Sequence, residues 1–136
     1  LDDCCFWYVK YQDDQWDRYR ITEANDTWNG CHLEYADDGS LTAFLIAKPP
    51  QYGNLPYGGG ILQEWHSEDC GESWSMEQEI SPVQGFLCNN PKAVEDIRGS
   101  ILPRTLLLFG WQGPDGVLPD GKFGGHAYLW QDGTWL

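Results

Sequence analysis

Cations are scarce in this chain: eight Lys and Arg stand against 21 Asp and Glu in 136 residues, a formal net charge of −13. Nucleic acid and anionic membrane surfaces are met by clustered Lys and Arg, so neither is expected as a partner. No run of about 18 apolar residues occurs, and no membrane-spanning helix is expected. The beginning, Leu1-Asp2-Asp3-Cys4-Cys5, has neither a basic leader segment nor an initiator Met and reads as processed or truncated. The five cysteines (Cys4, Cys5, Cys31, Cys70, Cys88) form no C-x-x-C pair and no Cys/His cluster with zinc spacing. No structural metal is therefore expected, and no cofactor. The cysteines read as small buried or turn residues, with a Cys31 to Cys88 bridge as the exception; their odd number leaves the redox compartment open.

What the chain does have is aromatic bulk. Eight Trp and a 15% aromatic share supply large surfaces for the core of one domain. The runs Leu41-Thr42-Ala43-Phe44-Leu45-Ile46-Ala47 and Thr105-Leu106-Leu107-Leu108-Phe109-Gly110-Trp111 are almost continuously apolar and of strand length. Such strands are expected to be buried on both faces. After each run comes a loop rich in Gly and Pro (48–60 and 112–125), then a strand (61–66 and 126–130), then an acidic turn closing on Trp74 or Trp135. This is a four-stranded repeat with a period of about 60 residues.

Residues 31–36 and 91–95 read as the first strand of each repeat and 76–80 as the last strand of the earlier one. Residues 5–11 and 16–22, joined through Gln12-Asp13-Asp14-Gln15, read as the last two strands of a preceding repeat. One segment is more specific. Ser67-Glu68-Asp69-Cys70-Gly71-Glu72-Ser73-Trp74 fits S-x-D-x-G-x-[S/T]-W at every fixed position. Ser67 and Asp69 can accept hydrogen bonds from the turn backbone, Gly71 can take φ > 0, Ser73 completes the pattern, and Trp74 can fold back over the hairpin. It reads as a structural turn, not a catalytic centre.

The segment resembles the BNR/Asp-box repeat of the sialidase-like β-propellers. The resemblance implies an all-β fold, a partial propeller of about two and a half four-stranded antiparallel blades. Its divisions are 1–23 (end of one blade), 24–81 (the blade with the Asp-box) and 82–136 (the last blade). An open stack of blades leaves apolar flanks bare. The chain is accordingly expected to be the C-terminal part of a larger one, its partners the remaining blades; the alternative is several copies assembled into a closed ring.

Antiparallel order sorts the loops into two ends. One end collects the hairpins with Asp13, Asp14, Asp37, Asp38, Asp69 and Asp132, which read as solvated turn carboxylates in preference to a calcium site. The other end collects Trp28 and Asn29, Tyr52 and Tyr57, Asn89 and Asn90, and a loop with Asp115, Asp120, Lys122 and Phe123. Exposed aromatics beside amides suit sugar rings, whose apolar faces stack and whose hydroxyls need partners. In the family resembled, the ligand site lies at that end near the central axis.

His32 opens a first strand and can serve as general base or acid, against the plainer role of a His hydrogen-bonded between blades. Glu34 shares its face and can orient it, take part itself, or pair across blades. Asn89, Asn90 and Lys92 occupy the matching place in the next repeat, where amide and ammonium can hold a uronate; Asn90-Pro91 is equally what a turn into a strand contains. His126 is assigned a structural or rim role. The sialidase arginine triad has no counterpart: Arg18 and Arg20 lie on an outer strand, Arg98 in a loop, and Arg104 at the start of a second strand.

The expectation is a secreted carbohydrate-active protein, extracellular or periplasmic, acting as glycoside hydrolase or polysaccharide lyase on acidic polysaccharide. Its catalytic residues would be His32 and Glu34, and its substrate-binding residues Trp28, Asn29, Tyr52, Tyr57, Asn89, Asn90 and Lys92. The alternatives are a non-catalytic glycan-binding propeller and a structural or protein-interaction propeller.

Overall fold

A computed structural model describes residues 5–24, 30–48, 60–81, 86–112 and 125–136, without the side chains of residues 48, 86, 87, 89, 111 and 112. The expected positions Trp28, Asn29, Tyr52, Tyr57 and Phe123 lie outside the described residues, and Asn89 is described in its backbone alone.

The protein is all-β. Among the described residues ten strands follow one another: β1 (Cys5–Gln12), β2 (Gln15–Glu23), β3 (Cys31–Tyr35), β4 (Leu41–Lys48), β5 (Ile61–Ser67), β6 (Ser75–Ile80), β7 (Phe86–Glu95), β8 (Ile101–Gln112), β9 (His126–Gln131) and β10 (Thr134–Trp135). They form three antiparallel sheets in chain order: β1-β2, then β3-β4-β5-β6, then β7-β8-β9-β10. No sheet closes on itself, and no helix is long and apolar enough to cross a membrane among the described residues.

Turn chemistry sets the connections. Asp13 and Asp14 take φ of 51° and 61° between the paired Gln12 and Gln15, and Asp132 and Gly133 take 45° and 87° between Gln131 and Thr134. Positive φ at both central positions is the two-residue hairpin of type I′, which Asp and Gly tolerate. The turns 36–40 and 96–100 repeat one another in their backbone hydrogen bonds. In each, the first residue's N–H donates to the fifth residue's carbonyl (3.0 and 2.9 Å), and the Gly N–H donates to the first carbonyl (3.0 Å).

β4 is the centre of the molecule because alternate residues face different sheets. Phe44 and Ile46 pack with Leu62, Ile80, Cys88, Leu106, Leu108 and Trp130, joining the middle sheet to the last. Ala43, Leu45 and Ala47 meet Phe6 and Ile21 of the first sheet together with Trp65 and Trp74. The nearly continuous apolar run 41–47 is thus explained by burial on both faces.

The run 105–111 behaves differently. Leu106 and Leu108 are buried against the middle sheet, whereas Phe109 is 43% exposed. Burial of β8 on both faces was expected, and one face is open. Among the described residues no sheet packs on that side. The outer side of the first sheet is also open, with Trp7, Val9, Tyr11 and Trp16 all exposed.

β7 also departs from expectation, since it begins at Phe86 and not at Pro91. Asn90-Pro91 is no turn ahead of a strand. The register shifts between Asn89 and Lys92, making the pair a bulge inside β7. Pro has no N–H to give the ladder, and bulges are where sheets tolerate it.

Candidate functional site

Period-2 alternation puts His32 and Glu34 on the face of β3 that looks toward the last sheet. The His32 ring stacks on Phe44, its register partner, with ring centroids 6.1 Å apart and planes 14° from parallel. Its Nε2 lies 3.2 Å from Glu34 Oε1. The Glu34 carboxylate also accepts the backbone N–H of Arg104, at 2.9 Å to Oε1 and 3.1 Å to Oε2. Both expected groups therefore meet, and the carboxylate does two things at once: it fixes an imidazole and ties β3 to β8.

Arg104 is the residue sequence reading passed over. Its φ of +48° is rare for a side chain other than Gly and costs on the order of 1–3 kcal/mol. Surrounding bonds hold it there. Nη1 and Nη2 donate to Glu64, Nη2 at 3.3 Å; Nε donates to Asp132 at 2.6 Å; and the guanidinium lies 5.5 Å from the centre of the Trp130 ring. Burial works against the charge of Arg104, but the bonds to Glu64 and Asp132 outweigh it and raise the pKa above its ordinary value. Glu64 is 3% exposed and also accepts from Gln78 Nε2 at 2.6 Å. One signal was available in the sequence: a Glu within the apolar strand 61–66 needs a cation.

Around His32 and Glu34 lies a cleft of about 470 Å³, whose walls include Tyr35, Thr42, Pro103 and Arg104. It reaches Ala36, Ser40 and Ile101, at the hairpin end of the sheets and not at the loop end where a ligand was expected. Tyr35 and Leu33, of opposite parity, are exposed. A second cleft of about 510 Å³ lies at the loop end, bounded by Asn90, Lys92, Phe109, Gly110, Gly125, His126 and Ala127. The fold thus separates Lys92 and Asn90 from His32 and Glu34. Asn90, at φ +55°, accepts the Gly30 N–H on Oδ1 at 3.0 Å, linking the approach to β3 with β7.

The turn 67–74 is closed by its own side chains. Ser67 Oγ accepts the Gly71 N–H (2.9 Å) and donates to Asp69 Oδ1 (2.8 Å); Asp69 also accepts the Ser73 N–H (2.8 Å) and the Ser73 hydroxyl (2.5 Å). Trp74 Nε1 donates to the Gly71 carbonyl at 2.9 Å. The bond from the Ser73 hydroxyl, then those from the Ser73 amide and Ser67, pull the Asp69 pKa down to about 2. None of these turn residues lines either cleft.

Among the described residues no group of three or more His, Cys, Asp or Glu is placed to hold a metal ion. Cys31 is an exposed thiol on the face of β3 turned away from the last sheet, whereas Cys88 is buried in the core. The bridge considered between them is not formed, because the two sulfurs serve different faces.

No protein-family model matches the chain, and no solved structure matches it. Over 60 residues it is 37% identical to Transcription factor 19 of Macaca mulatta, and to Transcription factor 19 of Homo sapiens to the same degree. The shared stretch is 44% of this chain and 17% of those proteins, so the chain spans less than a fifth of the curated relatives it matches.

Proposed function

We propose that this chain is part of a carbohydrate-active β-propeller of the BNR/Asp-box kind, exported to an extracellular or periplasmic space, acting as glycoside hydrolase or polysaccharide lyase on acidic polysaccharide. Three antiparallel sheets stacked face to face, with the outer flank of the first sheet bare among the described residues, fit blades awaiting neighbours. The hydrogen bonds that close the turn 67–74 suit an Asp-box. The remaining blades are the proposed partners.

The observation that carries the catalytic reading is the His32 to Glu34 contact of 3.2 Å inside a cleft. An imidazole held by a carboxylate is the arrangement of an oriented general base. In a lyase, His32 removes the proton α to a uronate carboxylate. The electron pair forms the new C=C bond, the glycosidic C–O bond breaks, and the leaving oxygen takes up a proton. Arg104 is committed to Glu64 and Asp132, so its role here is to hold Glu34 through its backbone N–H.

The test is incubation of the protein with uronate-containing polysaccharides, following the ultraviolet absorbance of the unsaturated product. Product from the wild type and none from His32→Ala is expected. A reducing-sugar assay on the same samples detects hydrolysis instead. Glycan binding without either product favours the non-catalytic reading, for which the exposed Tyr35 ring beside the cleft is the supporting observation. Absence of all glycan binding favours a structural or protein-interaction propeller. Similarity to Transcription factor 19 lends little to a nucleic-acid reading, because a net charge of −13 repels phosphates.

A further inference from the structure

The second cleft differs in charge from the rest of the molecule. The chain carries 21 carboxylates against eight Lys and Arg, yet among the described residues the seven that bound this cleft include an ammonium (Lys92), an imidazole (His126) and no carboxylate. In a chain so acidic, described walls that carry Lys92 and His126 without Asp or Glu favour an anion.

Its walls are also shaped for a ring. Phe109 stands 43% exposed between buried Leu108 and buried Gly110, an aromatic surface on the open face of β8. Register places Ala127 opposite Phe109 and His126 opposite Gly110, so small residues flank the aromatic and the imidazole stands at the next position. Gly125 has open space where a side chain would begin. On the other side of Phe109 the bulge in β7 takes Asn90 and Pro91 out of the ladder before pairing resumes at Lys92 with Leu107, a device that re-aims side chains. Asn90 uses its Oδ1 on the Gly30 N–H, so what it has left for a ligand is its amide donors.

From these features we infer that the cleft bounded by Asn90, Lys92, Phe109 and His126 is a subsite for a sugar ring bearing an anionic group, carboxylate or sulfate. The apolar face of the ring stacks on Phe109. The anion lies against the Lys92 ammonium, with N–H donors from Asn90 and His126 beside it. The inference rests on the carbohydrate reading above but is separate from the His32 cleft: it assigns recognition of charge to the last sheet and proton transfer to β3. It also adds Phe109 and His126 to the ligand-contacting residues.

The experiment is titration of the chain, followed by amide chemical shifts, with three probes: a trigalacturonate, a sulfated disaccharide and neutral cellotriose. Both anionic probes, or one of them, should shift the amides of Lys92, Phe109, Gly110 and His126, and cellotriose should bind at least about tenfold more weakly. Which anionic probe binds tells carboxylate from sulfate. Lys92→Met should weaken the anionic probe by about tenfold or more and leave cellotriose unchanged. Phe109→Ala should weaken all probes together. Lys92 and Phe109 are both solvent-exposed, so neither change removes a core contact. If cellotriose binds as well as the anionic probes, or Lys92→Met leaves them unaffected, the inference fails while the carbohydrate reading stands. Anionic probes that shift only the residues around His32 likewise overturn it, and binding of no sugar at all overturns both.

Discussion

The carboxylate of Glu34 accepts the backbone N–H of Arg104 with both of its oxygens, at 2.9 and 3.1 Å, across 70 positions of sequence. The same carboxylate holds His32 at 3.2 Å. A single side chain therefore couples the orientation of the candidate base to the docking of the last sheet on the middle one. Structure and proposed chemistry are expected to fail together when it is changed.

Glu34→Gln keeps the length of the side chain but removes its charge and one acceptor. The Arg104 amide then loses a charge-assisted partner, a loss of about 1–3 kcal/mol for a part-buried site. Urea unfolding should show a lower midpoint with the slope unchanged. The His32 imidazole should also lose its fixed orientation, visible as a change in its ring proton shifts. An unchanged midpoint would mean that the Arg104 amide finds another acceptor and that Glu34 does not join the sheets.

Arg104 and Glu64 make a sharper test because Glu64 is almost wholly buried. Arg104→Met removes the two-pronged cation and leaves Glu64 with the Gln78 amide. An uncompensated buried carboxylate costs about 3–5 kcal/mol. Adding Glu64→Gln in that background should recover a measurable part, since a neutral amide is cheaper to bury than a charge. Chemical denaturation of the two variants checks this. Equal stabilities for the single and double variants would show that Glu64 is not held as a buried ion.

The strand order was legible because apolar runs, Gly/Pro-rich loops and acidic turns are local signals. The run 41–47 reads as a doubly buried strand from its composition alone, and β4 is one. The His32 and Glu34 pairing was legible too, since period-2 alternation puts i and i+2 on one face. Arg104 was not. Its partners Glu34, Glu64 and Asp132 stand 70, 40 and 28 positions away, and nothing local in Pro103-Arg104-Thr105 points to them. Phe109 was misread for a related reason. Composition reports that a strand is apolar, but whether a second sheet arrives to cover it depends on chain elsewhere.

Asp69 gives a prediction in pH. Its carboxyl is ionised in the closed turn down to about 2, against an ordinary value of 3.8, because Ser73 and Ser67 donate to it. A depressed folded value means that the contribution is complete above the unfolded value and fades as pH falls through the folded one. Between pH 3.8 and about 2 the native protein should therefore lose stability progressively. Asp69→Asn should be less stable than the wild type at neutral pH, and the gap between the two should narrow across that window. Melting temperatures of both proteins, taken through the window, read this out. A gap that stays constant would assign the acid sensitivity to other carboxylates.

Gly71 carries the last prediction. It sits at φ +89°, and a Cβ built there would fall 2.2 Å from Tyr8 Cε1. Two separate penalties therefore await Gly71→Ala: a backbone conformation that disfavours side chains, and a collision with the ring that packs edge-on against Trp74 at 5.9 Å. Together they should cost more than the roughly 1–3 kcal/mol of the backbone strain alone. Tyr8→Ala in the same background separates them, because it removes the collision and leaves the dihedral penalty in place. The double variant should be less destabilised than the sum of the two single changes, a coupling that a double-mutant cycle measures directly. Strict additivity would mean that Tyr8 swings clear of the new methyl without cost, and that the first sheet is not held against the turn by this contact.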